Sequence, residues 1–202
     1  MASIDQLVDR FVVVVNTSYR EPVNVEIDEV PPSVLVGEPD EEAWCDWALK
    51  PYATVNWIRP VEQRLGRRFP AIFRSLVTRY IFPTFEAGEV FFFANTPEGT
   101  EFRELRNRVF SEDLSPALQR SGYLQIGHPG GGDYDPICFA LHDGDSDDGP
   151  LVQIDHEGII CDDVVEVIRE IAPSLRHFMS SVIEDAGSRP PAEGEGFEVR
   201  PA

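Results

Sequence analysis

The chain has 202 residues, with 17 Lys and Arg against 36 Asp and Glu, giving a formal net charge of −19 with neutral histidines. At this length a single domain of ~100–200 residues with some appended sequence is expected, large enough to bury a core without disulfides or metals. A surface of this charge repels phosphate backbones and anionic lipid headgroups, both of which are held through Lys and Arg clusters, so composition argues against direct nucleic-acid or membrane binding.

A hydrophobic fraction of 42% and 13 Phe belong to a folded globular protein rather than an acidic disordered chain. Near the N-terminus the longest apolar run, Phe11 to Val15, is shorter than the ~7–15 residues of a signal-peptide core or the ~18 of a membrane span. A cytoplasmic protein is expected. Cys45, Cys138 and Cys161 are widely spaced and contain no Cys-x-x-Cys, which fits neither a disulfide framework nor a zinc ribbon and reads as reduced, mostly buried thiols.

Ser3 is placed to cap a first helix carrying Ile4, Leu7, Val8, Phe11 and Val12 on one face, although the β-branched stretch to Val15 weakens it. Alternation through Glu21-Pro22-Val23-Asn24-Val25-Glu26-Ile27 predicts a strand ended by Pro31-Pro32. Asp40, followed by Glu41 and Glu42, predicts a capped short helix holding Trp44 and Trp47. Residues 1–54 read as an N-terminal elaboration.

From Trp57 the spacing of Ile58, Val61 and Leu65 predicts a helix that Gly66 ends, and Pro70 opens another with Ile72, Phe73, Leu76, Val77 and Tyr80, stopped by Pro83. Val90-Phe91-Phe92-Phe93 reads as a buried strand, and residues 101–120 as two short helices separated by Ser115-Pro116. Tyr123–Ile126, Ile137–Leu141 and Leu151–Ile154 are apolar segments between Gly- and Asp-rich turns, the pattern of neighbouring antiparallel strands. Val164–Ile171 is extended or helical, Ser174 caps a last helix through Ile183, and residues 187–202 are predicted to form a disordered tail.

Motifs for chemistry are sparse. Asp143, Asp145 and Asp147 occupy the first, third and fifth positions of a calcium-like loop, but Asp148 replaces the glycine and Ile154 the glutamate that an EF-hand needs, which favours a solvated acidic hairpin loop. Gly130-Gly131-Gly132 is not followed by Lys-Ser/Thr and reads as a wide turn. His128, His142 and His156 each lie near a strand end and a carboxylate, Asp133, Asp143 and Asp155 in turn, without metal-ligand spacing. They define the minority alternative of a metal-dependent enzyme. Cys138 sits in an apolar strand, where cysteine acts as a small hydrophobe, and no Gly-x-Ser-x-Gly elbow is present.

Trp57-Ile58, Val61-Glu62, Leu65-Gly66, Phe69-Pro70 and Phe73 form a first block of sequence. Leu124-Gln125-Ile126-Gly127 with Gly131-Gly132-Asp133 and the strand Ile137–Leu141 form a second. Gly149–His156 forms a third, and Ile171-Ala172-Pro173-Ser174-Leu175 with Phe178 a fourth. In order and spacing these blocks resemble the SUKH superfamily, which groups fungal Smi/Knr cell-wall assembly regulators with bacterial immunity proteins, over about residues 55–186. The chain departs from the pattern at Arg79–Pro83, where an Asn-Gly turn is usual, and in the longer insertion Thr96–Gln119.

The resemblance implies an α+β domain with a mixed, largely antiparallel sheet packed by helices. It also implies no catalytic residues, no cofactor or metal, and a protein partner, typically a toxin encoded beside an immunity protein. A chain of charge −19 suits a basic partner of that kind. The acidic turns are the expected contact surface: Asp133, Tyr134 and Asp135, then Asp143, Asp145, Asp147 and Asp148, with Tyr134 as an aromatic anchor. A regulatory or scaffold domain with a non-toxin partner is the alternative.

Overall fold

Ser3 caps α1 (Ile4–Ser18): its Oγ accepts from the Gln6 N–H at 3.2 Å while the Gln6 side chain accepts from the Ser3 N–H at 2.9 Å. The helix continues through the β-branched stretch because Val12 and Val15 share its buried face with Leu7, Val8 and Phe11, and burial outweighs a propensity cost of a few tenths of a kcal/mol (about 0.5) per residue. This computed structural model describes residues 3–25, 30–52, 57–96, 102–111, 113–130, 134–141 and 148–188.

Three short strands follow, β1 (Val23–Asn24), β2 (Leu35–Val36) and β3 (Trp44–Trp47), paired antiparallel in the order β1-β3-β2. The helix expected after Asp40 is not formed. Asp40 does cap, but its Oδ1 accepts from the N–H groups of Glu42 and Trp44 at 2.9 and 2.8 Å, closing a turn instead of opening a helix. Ala43, at φ 65°, sits in the left-handed region that interrupts any right-handed helix. Beyond it, exposed Trp44 and Asp46 alternate with buried Cys45 and Trp47 at the period of a strand.

After β4 (Lys50–Pro51), helix α2 (Ile58–Leu65) ends at Gly66, φ 69°, as its sequence predicts. Pro70 precedes α3 (Ala71–Arg79). Between them the buried Glu62 accepts from the Phe69 N–H at 3.1 Å and pairs with Arg74 Nε at 3.2 Å, so a single carboxylate holds the α2–α3 turn. The chain becomes extended at β5 (Tyr80–Ile81), before Pro83, because Tyr80 and Ile81 pair with Pro51 and Lys50.

Then come β6 (Phe85–Ala87), β7 (Val90–Phe92), α4 (Phe102–Val109) and α5 (Ser115–Arg120), the last starting on the Ser115-Pro116 pair expected to separate two helices. The chain closes with β8 (Tyr123–Pro129), β9 (Ile137–Ala140), β10 (Leu151–Ile154), α6 (His156–Asp162), β11 (Val167–Ala172) and α7 (Leu175–Ser188). Strands β6 to β11 form one sheet in the order β11-β10-β9-β8-β7-β6, so each strand neighbours its predecessor. Every ladder among the described residues is antiparallel, and the fold is α+β, the class expected. Helix α7 runs through Gly187 and Ser188, two residues into the stretch assigned to the tail, whose remainder lies outside the described residues. No helix among the described residues is long and apolar enough to cross a membrane.

One face of the sheet packs against α1, α3 and α7. Phe85 stacks on Phe92 at 5.0 Å between ring centroids and 14° between planes, and Phe11, Trp47, Phe82 and Phe178 close around that pair at 5.2–6.4 Å. The main core therefore draws on residues from the first fifty positions as well as from the rest of the chain. On the opposite face Cys138, Val152 and Ile154 meet Ala117 and Leu118 of α5 and Ile159 of α6 in a smaller cluster.

Gly127 opposes Phe92 across the β7–β8 ladder, where an added Cβ would lie 2.1 Å from the Phe91 carbonyl oxygen. Gly127→Ala is therefore expected to cost about 3 kcal/mol by urea denaturation, the upper part of the usual overpacking range. Gly37→Ala, at φ +83° with open space around it, should cost only about 1 kcal/mol of backbone strain. Equal losses at the two positions would contradict the close strand approach.

Candidate functional site

One network of polar groups lies at the end of the sheet where the chain enters β9 and leaves β10. Asp155 caps α6, its Oδ1 accepting from the Glu157 N–H at 3.0 Å, and this sets His156 as the first helical residue. Asp135, just before β9, meets it there. Its Oδ1 accepts from the His156 N–H at 3.0 Å and lies 2.7 Å from His156 Nδ1, while its Oδ2 accepts from Gln153 Nε2 at 3.1 Å.

The network continues across the β10–β11 ladder, in which Gln153 opposes Arg169. The buried Gln153 offers its Oε1 to Arg169 Nε at 2.8 Å, and the Arg169 guanidinium donates to Glu89 Oε2 at 2.6 Å. Glu89, Arg169, Gln153, Asp135 and His156 thus form one polar chain that links the β6–β7 turn to the start of α6. Each buried polar atom in it gains a partner, which offsets its desolvation.

Burial raises the Asp135 pKa, but hydrogen bonds from the His156 ring, the His156 backbone and Gln153 outweigh that and leave it below the ordinary carboxylate range. The hydrogen bond to Asp135 raises His156 above the ordinary histidine value against partial desolvation, with further help from the charges of Asp135, Glu157 and Asp155. The two shifts define a pH window. Asp135 contributes stability above an unfolded value of roughly 3.9, lost as pH falls through its lower folded value; His156 contributes below roughly 6.5, lost as pH rises through its higher folded value. The pair stabilises the fold most between those limits.

The structure treats the sequence-derived site residues differently. Tyr134 is 77% exposed, with its ring centroid 6.2 Å from that of His156. Asp135 is half-buried and directed inward. Asp148 is drawn into the fold as a helix cap: its Oδ1 accepts from the Leu175 N–H at 2.9 Å and its Oδ2 from the Arg176 N–H at 3.1 Å, alongside Ser174 Oγ, which accepts from the His177 N–H at 3.0 Å. Asp133, Asp143, Asp145, Asp147 and His142 lie outside the described residues. His128 stacks on Phe91, 5.2 Å between centroids and 8° between planes. It does not join the polar chain built on His156.

Asp135, Asp155 and His156 bring one potential metal-ligand atom each to within 4.8 Å of one another. Each also serves the fold, since Nδ1 of His156 is held by Asp135 and Asp155 caps α6. Burial pushes the Cys138 thiol well above its ordinary pKa, the environment of an inert, protonated cysteine. Gln153, Arg169 and Glu89 were absent from the sequence-derived site. The signal for them was one amide inside the apolar Leu151–Ile154 strand, a polar residue that must find a partner where it is buried, and one cation inside the Val167–Ala172 strand beside it. No protein-family model matches the chain, and no curated protein matches it.

An NMR titration of the His156 ring should give a midpoint above roughly 6.5, and Asp135→Asn should bring it down toward that value. An unshifted midpoint in the parent protein, or one indifferent to Asp135→Asn, would contradict the pairing.

Proposed function

We propose that this chain is a non-catalytic, SUKH-like protein-binding domain that acts in the cytoplasm, most specifically an immunity protein that neutralises a cognate basic toxin by stoichiometric binding. The observation that carries the reading is Tyr134: a large aromatic side chain, 77% exposed, whose backbone neighbour Asp135 is held by three hydrogen bonds from His156 and Gln153. An aromatic group that is presented on a rigid footing loses little conformational entropy when a partner covers it, and Tyr is enriched among residues that dominate binding energy. The net charge of −19 supplies the complementary part, long-range attraction for a cationic surface. Stoichiometric occlusion requires no reacting group in the chain, only a durable surface.

Among the acidic-turn residues, Asp135 and Asp148 serve the fold, which leaves Asp133, Tyr134, Asp143, Asp145 and Asp147 as the proposed contacts. Replacing Asp143, Asp145 and Asp147 together with Asn should slow association with the captured basic partner about tenfold at low salt and flatten its salt dependence, measured by stopped-flow fluorescence. Unchanged association kinetics would remove this loop from the interface.

A further inference from the structure

The two edges of the six-stranded sheet are built differently. At one end β6 is three residues long, with Phe85 and Ala87 buried and only Glu86 exposed. At the other end β11 is six residues long, and Val167, Ile168, Arg169 and Glu170 are all exposed. No strand among the described residues pairs with its outer side. Exposed apolar side chains collect on this edge: Val167 at 40%, Ile168 at 50%, Val164 at 51% and, on the adjoining α6, Ile160 at 62%.

These side chains belong to one firmly held unit. The Val164 N–H donates to the Gly158 carbonyl at 3.0 Å and the Asp155 N–H to the Glu166 carbonyl at 3.0 Å, which straps the segment entering β11 against α6. In the β10–β11 ladder Val167 opposes Ile154 and Arg169 opposes Gln153, so Ile168 is the extra residue of a bulge, a device that re-aims a side chain out of the regular pleat. A cluster of exposed branched aliphatics on a sheet edge is an interaction surface.

The charge around it selects the occupant. Residues 155–172 hold six carboxylates, Asp155, Glu157, Asp162, Asp163, Glu166 and Glu170, against one arginine, Arg169, no lysine, and His156, which Asp135 holds. Arg169 is committed to Glu89, and one carboxylate, Asp163, is paired with Arg120 at 2.8 Å. A second copy of this chain would set like charges face to face, at a cost that rises as the interface excludes water. A cationic polypeptide with apolar side chains between its charges meets both features.

We infer that the α6–β11 edge is a docking surface for an extended, basic segment of a partner protein, its aliphatic side chains lying on Ile160, Val164, Val167 and Ile168 while its cations face the surrounding carboxylates. The inference rests on the reading of the chain as a protein binder and adds the surface and the chemistry of the segment bound there.

The test uses the full chain and three labelled eight-residue peptides, alternating Lys-Val, Lys-Ser and Glu-Val, followed by fluorescence anisotropy. The Lys-Val peptide should bind at least tenfold more tightly than either of the others, and its amide shift perturbations in the parent protein should fall on residues 158–170. The charge-neutral double variant Val167→Ser/Ile168→Ser should lose at least tenfold in affinity for Lys-Val, as should Ile160→Ser/Val164→Ser on the helical side. All four positions are exposed, and thermal melting within a few degrees of the parent would show that the fold is kept. Equal affinity for Lys-Val and Lys-Ser, shifts elsewhere on the molecule, unchanged binding by both variants, or self-association through this edge would each overturn the inference. A captured partner that still binds both variants at full strength would overturn the edge while leaving protein binding in place; specific Lys-Val binding in a chain that captures no protein would do the reverse.

Discussion

The stacked pair Phe85–Phe92 is the contact on which the rest of the molecule depends. It sits at the β6–β7 hairpin, and around it close one helix from the N-terminus through Phe11, one strand of the small sheet through Trp47, and the last helix through Phe178. Segments more than 150 residues apart in sequence, by count from position 11 to position 178, thus share one buried cluster. Removing apolar area of this size from water is the main favourable contribution to folding, and offset or edge-to-face ring contacts add about 1 kcal/mol each. The small sheet has strands of two to four residues, too short to be stable alone, and it persists because Trp47 and Leu49 are anchored in that cluster.

The polar end of the sheet follows from the same packing. With α7 fixed by Phe178, its N-terminal amides are offered to the loop before β10, and Asp148 takes them up together with Ser174. With β10 and β11 in register, Gln153 meets Arg169, and Asp135 closes the chain of hydrogen bonds on His156. A strongly acidic protein spends these particular carboxylates on its own backbone and on its few cations. The carboxylates left on the α6–β11 side are those around an exposed aliphatic edge, and that pairing of charge with apolar surface is what a recognition face needs.

Much of the fold was legible in the sequence wherever local chemistry and tertiary packing agree. Ser3, Gly66, Pro70 and Ser174 mark helix ends by properties that need no long-range partner, and the apolar segments at 123, 137 and 151 can only be strands between their turns. The segment after Asp40 misled because an Asp cap looks alike in sequence whether it opens a helix or closes a turn; Ala43 in a left-handed conformation decides it, and no pattern of residue types announces that. The site was less legible. The acidic turn marks Tyr134 and Asp135, but Gln153, Arg169 and Glu89 come together only through strand register and a hairpin 80 residues away from Arg169. Asp148 looked like one more solvated carboxylate, and its role as a cap depends on where α7 begins in space.

The proposed function is that of an acidic domain that holds a single basic protein. The measurement that tests it most directly is affinity capture with the tagged full chain from a lysate of its own source cells, at low and at moderate salt, with mass spectrometry and stoichiometry by light scattering. Recovery of one basic protein in a one-to-one complex that moderate salt weakens is the predicted result. Recovery of several unrelated proteins, or of none at either salt, would contradict it.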